Sequence, residues 1–209
     1  MDLNKPLAYR VRPKSLEEFV GQEHVVGKDK LLYRTIKADR LSSLILWGPP
    51  GCGKTSLAKV ISETTKYKFT KLNAVTSGVG DIKKAIEEAD NPLLNPSGKC
   101  ILFIDEIHRF NKLQQDALLP YVEDGTVILI GATTENPYFE VNKALISRSM
   151  VIKLEPLKTE DIFKVLKNAL VNKEGLGSYK IKVSDDTLKT IAEISGGDVR
   201  TARNGLEVA

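Results

Sequence analysis

A glycine-rich segment early in the chain has the spacing of a phosphate-binding loop. Residues 48–55, GPPGCGKT, match the pattern GxxxxGK followed by Ser or Thr, between an apolar run and an amphipathic pattern. Glycines let backbone N–H groups wrap closely around phosphates, and the start of the next helix adds partial positive charge. We expect Lys54 to reach the β- and γ-phosphates of a nucleotide and Thr55 to ligate Mg²⁺. The predicted nucleotide-contacting residues here are Gly48, Pro49, Pro50, Gly51, Cys52, Gly53, Lys54, Thr55 and Ser56.

Two adjacent carboxylates follow the most apolar run of the chain, ILFI at 101–104. Ligands of open α/β sheets bind at the carboxyl ends of the strands, which is where Asp105 and Glu106 fall. We expect Asp105 to hold Mg²⁺ and Glu106 to act as the general base for an attacking water. Kinases with a phosphate-binding loop do not require this glutamate, so the pair favours nucleotide hydrolysis.

The elements that must position these residues alternate between strands and helices. Apolar runs predict strands at 44–47, 68–72, 100–104, 126–130 and 150–154. Apolar residues at helical spacing predict helices at 55–64, 80–90 and 112–122. This alternation indicates an α/β fold in which a five-stranded parallel sheet lies between helices.

Beyond Pro156 the pattern is helical throughout. It predicts a helix at 159–171, a second helix capped at its start by Ser184, and a third at 198–208. We therefore divide the chain into an N-terminal segment at 1–22, an α/β core at 23–155 and a helical lid domain at 156–209. The sequence stops soon after a helical pattern, so we expect the lid to be truncated at its C-terminus.

The composition is that of a globular protein. Of 209 residues, 42% are hydrophobic and 28% charged, which excludes a mainly disordered chain. No apolar run approaches the roughly 20 residues that span a membrane, and the N-terminus does not resemble a signal peptide. We expect a cytoplasmic location and a reduced pair of cysteines, Cys52 and Cys100. A formal charge of +4 permits a nucleic-acid partner without requiring one.

Beyond these two motifs the sequence resembles AAA+ ATPases. The stretch ILIGATTENP at 128–137 is similar to their sensor 1 region. The resemblance implies that Thr134, or alternatively Thr133 or Asn136, contacts the γ-phosphate or the attacking water. The stretch ALISRS at 144–149 is similar to the arginine-finger segment of clamp loaders, with Ser149 where many relatives carry Cys. This implies that Arg148 reaches the ATP of a neighbouring subunit.

Both ends of the chain extend the resemblance. The stretch GGDVRTARN at 196–204 resembles the sensor 2 helix, which implies that Arg200 touches the γ-phosphate, while Arg203 is expected to be structural. The opening segment resembles the adenine-facing segment of the family. The backbone residues implied to hold the base are Leu7, Ala8, Val20 and Gly21.

The sequence does not assign a role to three further polar residues. Asn73 stands where relatives carry a residue that restrains the catalytic glutamate, but a generic loop asparagine is an equal alternative. His24 and His108 have no partner in the sequence that marks a role, so we assign them no chemistry.

The branch of the AAA+ family follows from longer stretches. Motors of Holliday junction branch migration insert a DNA-gripping hairpin between the Asp-Glu strand and sensor 1, where this chain has 25 residues, mostly in the predicted helix. Bacterial clamp-loader subunits carry a cysteine-rich zinc module that this chain lacks. The blocks PLAYRVRP, GQEH and DEIHRFNKLQQDALLPYVEDGTVILIGATTENP resemble the replication-associated recombination protein A family, related to the Werner-interacting ATPases.

That resemblance implies an ATPase that uses ATP and Mg²⁺, is stimulated by DNA and acts at stalled replication forks or in recombination and repair. Its implied partners are single-stranded or forked DNA, single-strand-binding protein and further copies of itself. Tetramers would form through a C-terminal helical domain beyond Ala209. The implied location of the protein is near the nucleoid and away from membranes.

The alternatives are a clamp-loader-like or Holliday-junction-motor-like ATPase, and a nucleotide-gated DNA- or protein-binding module with weak hydrolysis. The presence of Glu106, Arg148 and Arg200 together favours the active ATPase.

Overall fold

A single parallel sheet lies at the centre of the structure, a computed structural model that describes residues 5–96, 98–179 and 181–209. Its strands are β1 (Ser43–Trp47), β2 (Lys68–Asn73), β3 (Cys100–Asp105), β4 (Ile128–Thr133) and β5 (Ser149–Lys153). They lie in the order β2-β3-β4-β1-β5, and each neighbouring pair is parallel. The predicted five-stranded parallel sheet between helices is confirmed.

Helices cover both faces of the sheet and form the lid. They are α1 (Leu7–Arg10), α2 (Glu23–Val26), α3 (Leu31–Lys37), α4 (Lys54–Thr65), α5 (Val79–Asp90), α6 (Lys112–Asp116), α7 (Leu119–Glu123), α8 (Pro137–Glu140), α9 (Lys143–Ser147), α10 (Thr159–Val171), α11 (Asp185–Ile194) and α12 (Val199–Val208), with 3₁₀ turns at Ile107–Arg109 and Gly177–Tyr179. None of the helices within the described ranges has the length and apolar character needed to cross a membrane.

The strands bury side chains on both faces of the sheet. In β1, Leu44 and Leu46 face one hydrophobic core while Ile45 faces the other, and in β3 Phe103 and Ile104 divide in the same way. All five are fully buried. Burying one such side chain stabilises a fold by about 1.5–3 kcal/mol, so the sheet is a rigid platform for the loops at its edges. Both cysteines are buried free thiols, as predicted.

The fourth strand differs from the prediction of 126–130. The chain is still turning at Thr126, whose backbone N–H donates to Asp124 Oδ1 at 2.8 Å. The strand then continues past its apolar run, because Gly131 lets the side chains of Ile107 and Ile45 approach closely; a Cβ there would lie 2.9 Å from each. Glycine and alanine have weak strand propensity, so the sequence pattern ended the strand too early.

The prediction of one continuous helix at 112–122 was wrong, because the structure divides this stretch into α6 and α7. Pro120 has no N–H to donate to the carbonyl of Asp116, where a continuous helix would need that bond. Asn111 and Gln114 close the start of α6 with reciprocal side-chain bonds to each other's backbone N–H, at 3.0 and 2.9 Å. The chain therefore turns between the two short helices.

The lid domain consists of α10, α11 and α12 packed against one another. Ser184 caps α11 by accepting the N–H of Thr187 at 3.1 Å, as predicted. Asp198 caps α12 by accepting the N–H groups of Arg200 and Thr201 at 2.7 and 3.2 Å. Side-chain oxygens at such positions stabilise a helix by about 1 kcal/mol.

The N-terminal segment is attached to the lid. The backbone N–H of Leu7 donates to Glu207 Oε2 on α12 at 2.8 Å, and Arg10 pairs with Glu207 Oε1 at 3.1 Å. Arg10 also donates to the carbonyls of Glu174 and Gly175 at 2.9 and 3.0 Å. The domain limits drawn from the sequence stay a prediction, but these contacts bring the two ends of the described chain together beside the sheet edge.

Candidate functional site

The predicted site residues follow three neighbouring strands. β4 lies between β3 and β1, so its carboxyl end separates the Asp105–Glu106 pair from residues 48–55, which we call the P-loop. The backbone N–H of Gly48 donates to the carbonyl of Thr133 at 3.2 Å. The topology therefore gathers the P-loop, the acidic pair and the threonines after β4 at one edge of the sheet.

The P-loop is closely covered by two other segments. Gly51 has φ +69°, and a Cβ there would lie 1.9 Å from Asp198 Oδ1 of the lid. Gly53 has φ +105°, and a Cβ there would lie 2.9 Å from the ring of Phe19. Glycine is required at both positions, because other residues disfavour positive φ and would collide with these neighbours.

Lys54 begins α4 and is buried. Its Nζ donates to the carbonyls of Gly48 and Pro49 at 2.7 and 2.9 Å. Burial lowers the pKa of Lys54, while the nearby Cys52 and Glu106 act in the opposite direction. The ammonium group is thus held within the P-loop by neutral acceptors, which bind a cation less strongly than charged oxygens do.

Asp105 and Glu106 differ in their surroundings. Asp105 ends β3 and pairs with Lys71 of β2, with 2.9 Å between Nζ and Oδ2. Glu106 has φ +57°, a left-handed conformation that costs a non-glycine residue about 1–2 kcal/mol. Such strain is concentrated at functional sites, where the surrounding structure enforces it.

His108 is a site residue that the sequence did not indicate. Its Nδ1 lies 2.9 Å from Thr133 Oγ1 and 3.5 Å from Glu106 Oε2, and its side chain is 7% exposed. Asn73, the residue considered for restraining Glu106, instead accepts the N–H of Val75 at 2.9 Å. His108 follows Glu106 by two positions, but its partner Thr133 lies on the next strand, so sequence spacing carried no signal.

The three sensor 1 candidates have different environments. Thr133 is fully buried, and its Oγ1 also accepts the N–H of Glu135 at 3.0 Å. Asn136 accepts the N–H of Tyr138 at 3.1 Å and so caps α8. Thr134 follows β4 directly, is half-buried and has no side-chain hydrogen bond to any described residue. Its role stays a prediction, with its hydroxyl available at the sheet edge.

A cavity of about 340 Å³ lies between the N-terminal segment, the P-loop and the lid. Its apolar walls include Ala8 and Val20, two of the four residues expected to hold the base, with Phe19, Leu157 and Val165. Leu7 is buried, and its backbone N–H donates to the side chain of Glu207. Gly21 packs closely against the side chain of Leu157. The cavity combines apolar side chains that suit a nucleobase with a glycine-rich loop that suits phosphates.

Cations surround the other walls of the cavity. Arg12 comes from the N-terminal segment, and Arg200 and Arg203 come from α12. Burial, and then the charge of Arg200, lowers the pKa of Arg12. Arg200 also lowers the pKa of Lys54, so the lid places its charge near the P-loop. The positive potential of this group suits a polyanion.

Arg148 lies apart from the cavity, outside the residues that line it. It ends α9, is exposed, and pairs with Glu123 of α7 at 2.6 Å while donating to the carbonyl of Ala144 at 2.9 Å. The contacts that hold Arg148 are therefore with α7 and with its own helix α9.

The donor set fits a magnesium ion that is shared with a nucleotide. No group of three or more His, Cys, Asp or Glu side chains able to hold a metal occurs among the described residues. Mg²⁺ is commonly held by one or two protein oxygens together with substrate phosphates, which matches the Thr55 hydroxyl and the Asp105 carboxylate.

Comparison with known proteins gives one family. The model of the ATPase family associated with various cellular activities (AAA) matches residues 44–156. Replication-associated recombination protein A of Escherichia coli is 51% identical over 205 residues, which are 98% of this chain and 46% of that protein. ATPase WRNIP1 of Dictyostelium discoideum is 47% identical over 204 residues, 98% of this chain and 23% of that protein.

Solved structures agree with this fold. The RuvB Holliday junction branch migration motor of Thermotoga maritima superimposes with a TM-score of 0.78 at 29% identity, covering 95% of this chain and 64% of that one. The chain spans about half the length of the bacterial curated relatives it matches. The chain belongs to the AAA family of ATPases, and over 98% of its length it is similar to replication-associated recombination protein A.

Proposed function

We propose that this chain binds ATP with Mg²⁺ in the cavity beside the P-loop and hydrolyses it to ADP and phosphate. The observation that carries the proposal is that the P-loop after β1 and the Asp105–Glu106 pair after β3 lie at the same edge of the sheet, with only β4 between them. The apolar end of the cavity accommodates the base, and its cationic walls accommodate the triphosphate.

The roles of the residues follow from their positions. Lys54 exchanges its bonds to the loop carbonyls for the β- and γ-phosphates, which are charged and bind it more strongly. Glu106 accepts a proton from water, whose oxygen attacks the γ-phosphorus while the bond to the β-phosphate oxygen breaks. Thr134 and Arg200 contact the γ-phosphate or the water. When bound by Thr55 and Asp105, Mg²⁺ neutralises developing charge on the phosphates.

Arg148 acts on a neighbouring subunit in this proposal. It is exposed, outside the cavity of its own chain, and held by Glu123. Surface ion pairs of this kind contribute about 0–1 kcal/mol, so an approaching triphosphate can displace Glu123 easily. A guanidinium is always charged and can contact two phosphate oxygens at once, which suits a finger that completes the site.

The wider role rests on the relatives. We propose a cytoplasmic, nucleoid-associated ATPase that acts at stalled replication forks or in recombination; the bacterial relatives are named for replication-associated recombination. Single-stranded or forked DNA stimulates it, single-strand-binding protein is a partner, and homotetramers are its working form. The mild positive charge of the chain is compatible with a DNA partner.

Binding of a fluorescent ATP analogue to the Lys54→Ala variant tests the nucleotide site. We expect loss of binding, because a buried point charge and its phosphate contacts disappear together. Lys59→Ala is the matched control, since it removes an exposed lysine from the same helix, and it should bind like the wild type. Tight binding by Lys54→Ala would refute the assignment of the P-loop.

A further inference from the structure

Arg203 is a buried cation whose Nε has no hydrogen-bond partner among the described residues. It lies on α12 three residues after Arg200 and is 8% exposed. Its Nε is buried with no hydrogen-bond partner, and no carboxylate within the described ranges pairs with the guanidinium. Its side chain borders the cavity between the N-terminal segment, the P-loop and the lid.

The electrostatic surroundings of Arg203 are unfavourable as they stand. Burial, and then the charge of Arg12, lowers the pKa of the guanidinium to about 10. At neutral pH the group is therefore still charged, and Arg12, whose charge acts on it, has the same sign. Buried charges are normally paired or hydrogen-bonded, because transferring an ion from water into a protein is costly. A structural arginine would have a carboxylate or carbonyls around it, so the arrangement points to an anion that enters the cavity.

Position along α12 indicates which part of a nucleotide would meet Arg203. Arg200 is close enough to Lys54 to lower its pKa, whereas Arg203 is absent from the charges that act on that lysine. Three residues of helix place Arg203 about 4.5 Å further along the axis than Arg200. It lines the cavity together with the apolar Val165 and Leu157, which suit the base. The phosphate nearest the ribose lies between the base and the γ-phosphate that Arg200 is expected to contact.

We propose that Arg203, together with Arg12, binds the α-phosphate of the nucleotide in the cavity. The inference deepens the proposed function and depends on it. Arg200 and Arg203 would then contact opposite ends of the triphosphate from one helix of the lid. The α-phosphate is common to mono-, di- and triphosphates, so Arg203 would hold the lid against ADP as well as ATP.

The test compares ligands that differ in their phosphates. Arg203→Met keeps the side-chain length and removes the charge, Arg203→Lys keeps a charge, and Lys189→Met removes an exposed lid cation as a control. Affinities for ADP, AMP and adenosine are measured by calorimetry or by displacement of a fluorescent ADP. We expect Arg203→Met to weaken ADP and AMP by about ten- to a hundredfold, as for a lost charged hydrogen bond, and to leave adenosine unchanged.

Two further results are expected. Arg203→Lys should recover part of the AMP affinity, and Arg203→Met without ligand should melt at a higher temperature than the wild type, because an unpaired buried charge is gone.

Several outcomes would overturn the assignment. These are unchanged ADP and AMP affinity in Arg203→Met, an equal loss for adenosine, or a variant that melts earlier or fails to fold. Binding of none of these ligands by the wild type would instead refute the proposed nucleotide site itself.

Discussion

The contact between the P-loop and the lid predicts the effect of one added methyl group. Gly51 has φ +69°, and a Cβ built on it would lie 1.9 Å from Oδ1 and 2.1 Å from Cγ of Asp198. Val199 also donates its N–H to the carbonyl of Gly51 at 3.4 Å. In Gly51→Ala the methyl group and the carboxylate cannot occupy the same space, so the lid must move away from the P-loop.

The expected cost has two parts. A left-handed conformation costs an alanine about 1–2 kcal/mol relative to glycine. Displacing Asp198 removes the cap that accepts the N–H groups of Arg200 and Thr201, which is worth about 1 kcal/mol. We therefore expect Gly51→Ala to lower the free energy of unfolding by roughly 2–3 kcal/mol.

Urea denaturation of four proteins separates the two parts: the wild type, Gly51→Ala, Asp198→Ala and the double variant. If the clash is real, the cost of Gly51→Ala falls by about 1 kcal/mol in the Asp198→Ala background, because the obstructing carboxylate is gone. Gly125→Ala is the matched control, since Gly125 has φ +80° and, its chain neighbours aside, no described residue has an atom within 4 Å of a Cβ built there. Its loss of free energy of unfolding should reflect the left-handed backbone conformation alone.

Additive costs in this cycle would refute the reasoning. They would show that Asp198 does not lie against Gly51 in solution and that the lid is docked elsewhere. A second contradicting result is a Gly125→Ala variant that lowers the free energy of unfolding as much as Gly51→Ala does. Backbone strain alone would then explain both losses, and no clash with Asp198 would be needed.

Two further predictions concern turnover, measured in a protein extended to the length of its relatives. His108→Ala should bind ADP normally but hydrolyse ATP about tenfold more slowly. The reason is that Glu106 loses a neighbour 3.5 Å away, and a misplaced base is less effective. Unchanged kcat in a steady-state phosphate assay would show that His108 only supports the fold. Arg148→Ala and Lys54→Ala should each be nearly inactive alone, yet regain part of the activity when mixed, because intact Lys54 sites then face an intact Arg148. If subunits exchange and no activity returns, Arg148 does not act between subunits.

Local spacing was sufficient for the central part of the site. The P-loop and the acidic pair are contiguous in sequence, and each follows a strand that its apolar run identifies. Parallel strand order then brings the two segments to one edge. The same holds for one cap: Ser184 is followed by the apolar periodicity of α11, which was enough to predict that Ser184 caps that helix, as its bond from the N–H of Thr187 confirms.

Contacts between distant segments were not accessible in this way. Leu7 and Glu207 are 200 positions apart, and nothing local in either segment indicates that the N-terminus is attached to α12. His108 and Thr133 meet because their strands are neighbours, which the sequence indicates only as a topology. From the sequence Arg203 was expected to be structural, and only the packing shows that its buried Nε has no hydrogen-bond partner among the described residues. Such contacts depend on how the helices and strands pack, so they can be identified only in the folded structure.

The central claim is that Glu106 is the general base of an ATP-hydrolysing site, and Glu106→Gln tests it most directly. The substitution keeps the size of the side chain and its strained backbone, but removes the proton acceptor. Binding of Mg-ATP by equilibrium titration should equal that of the wild type, while kcat in the extended protein should fall by about 10²–10⁴-fold. A variant that binds Mg-ATP normally and retains half of the wild-type kcat would contradict the account.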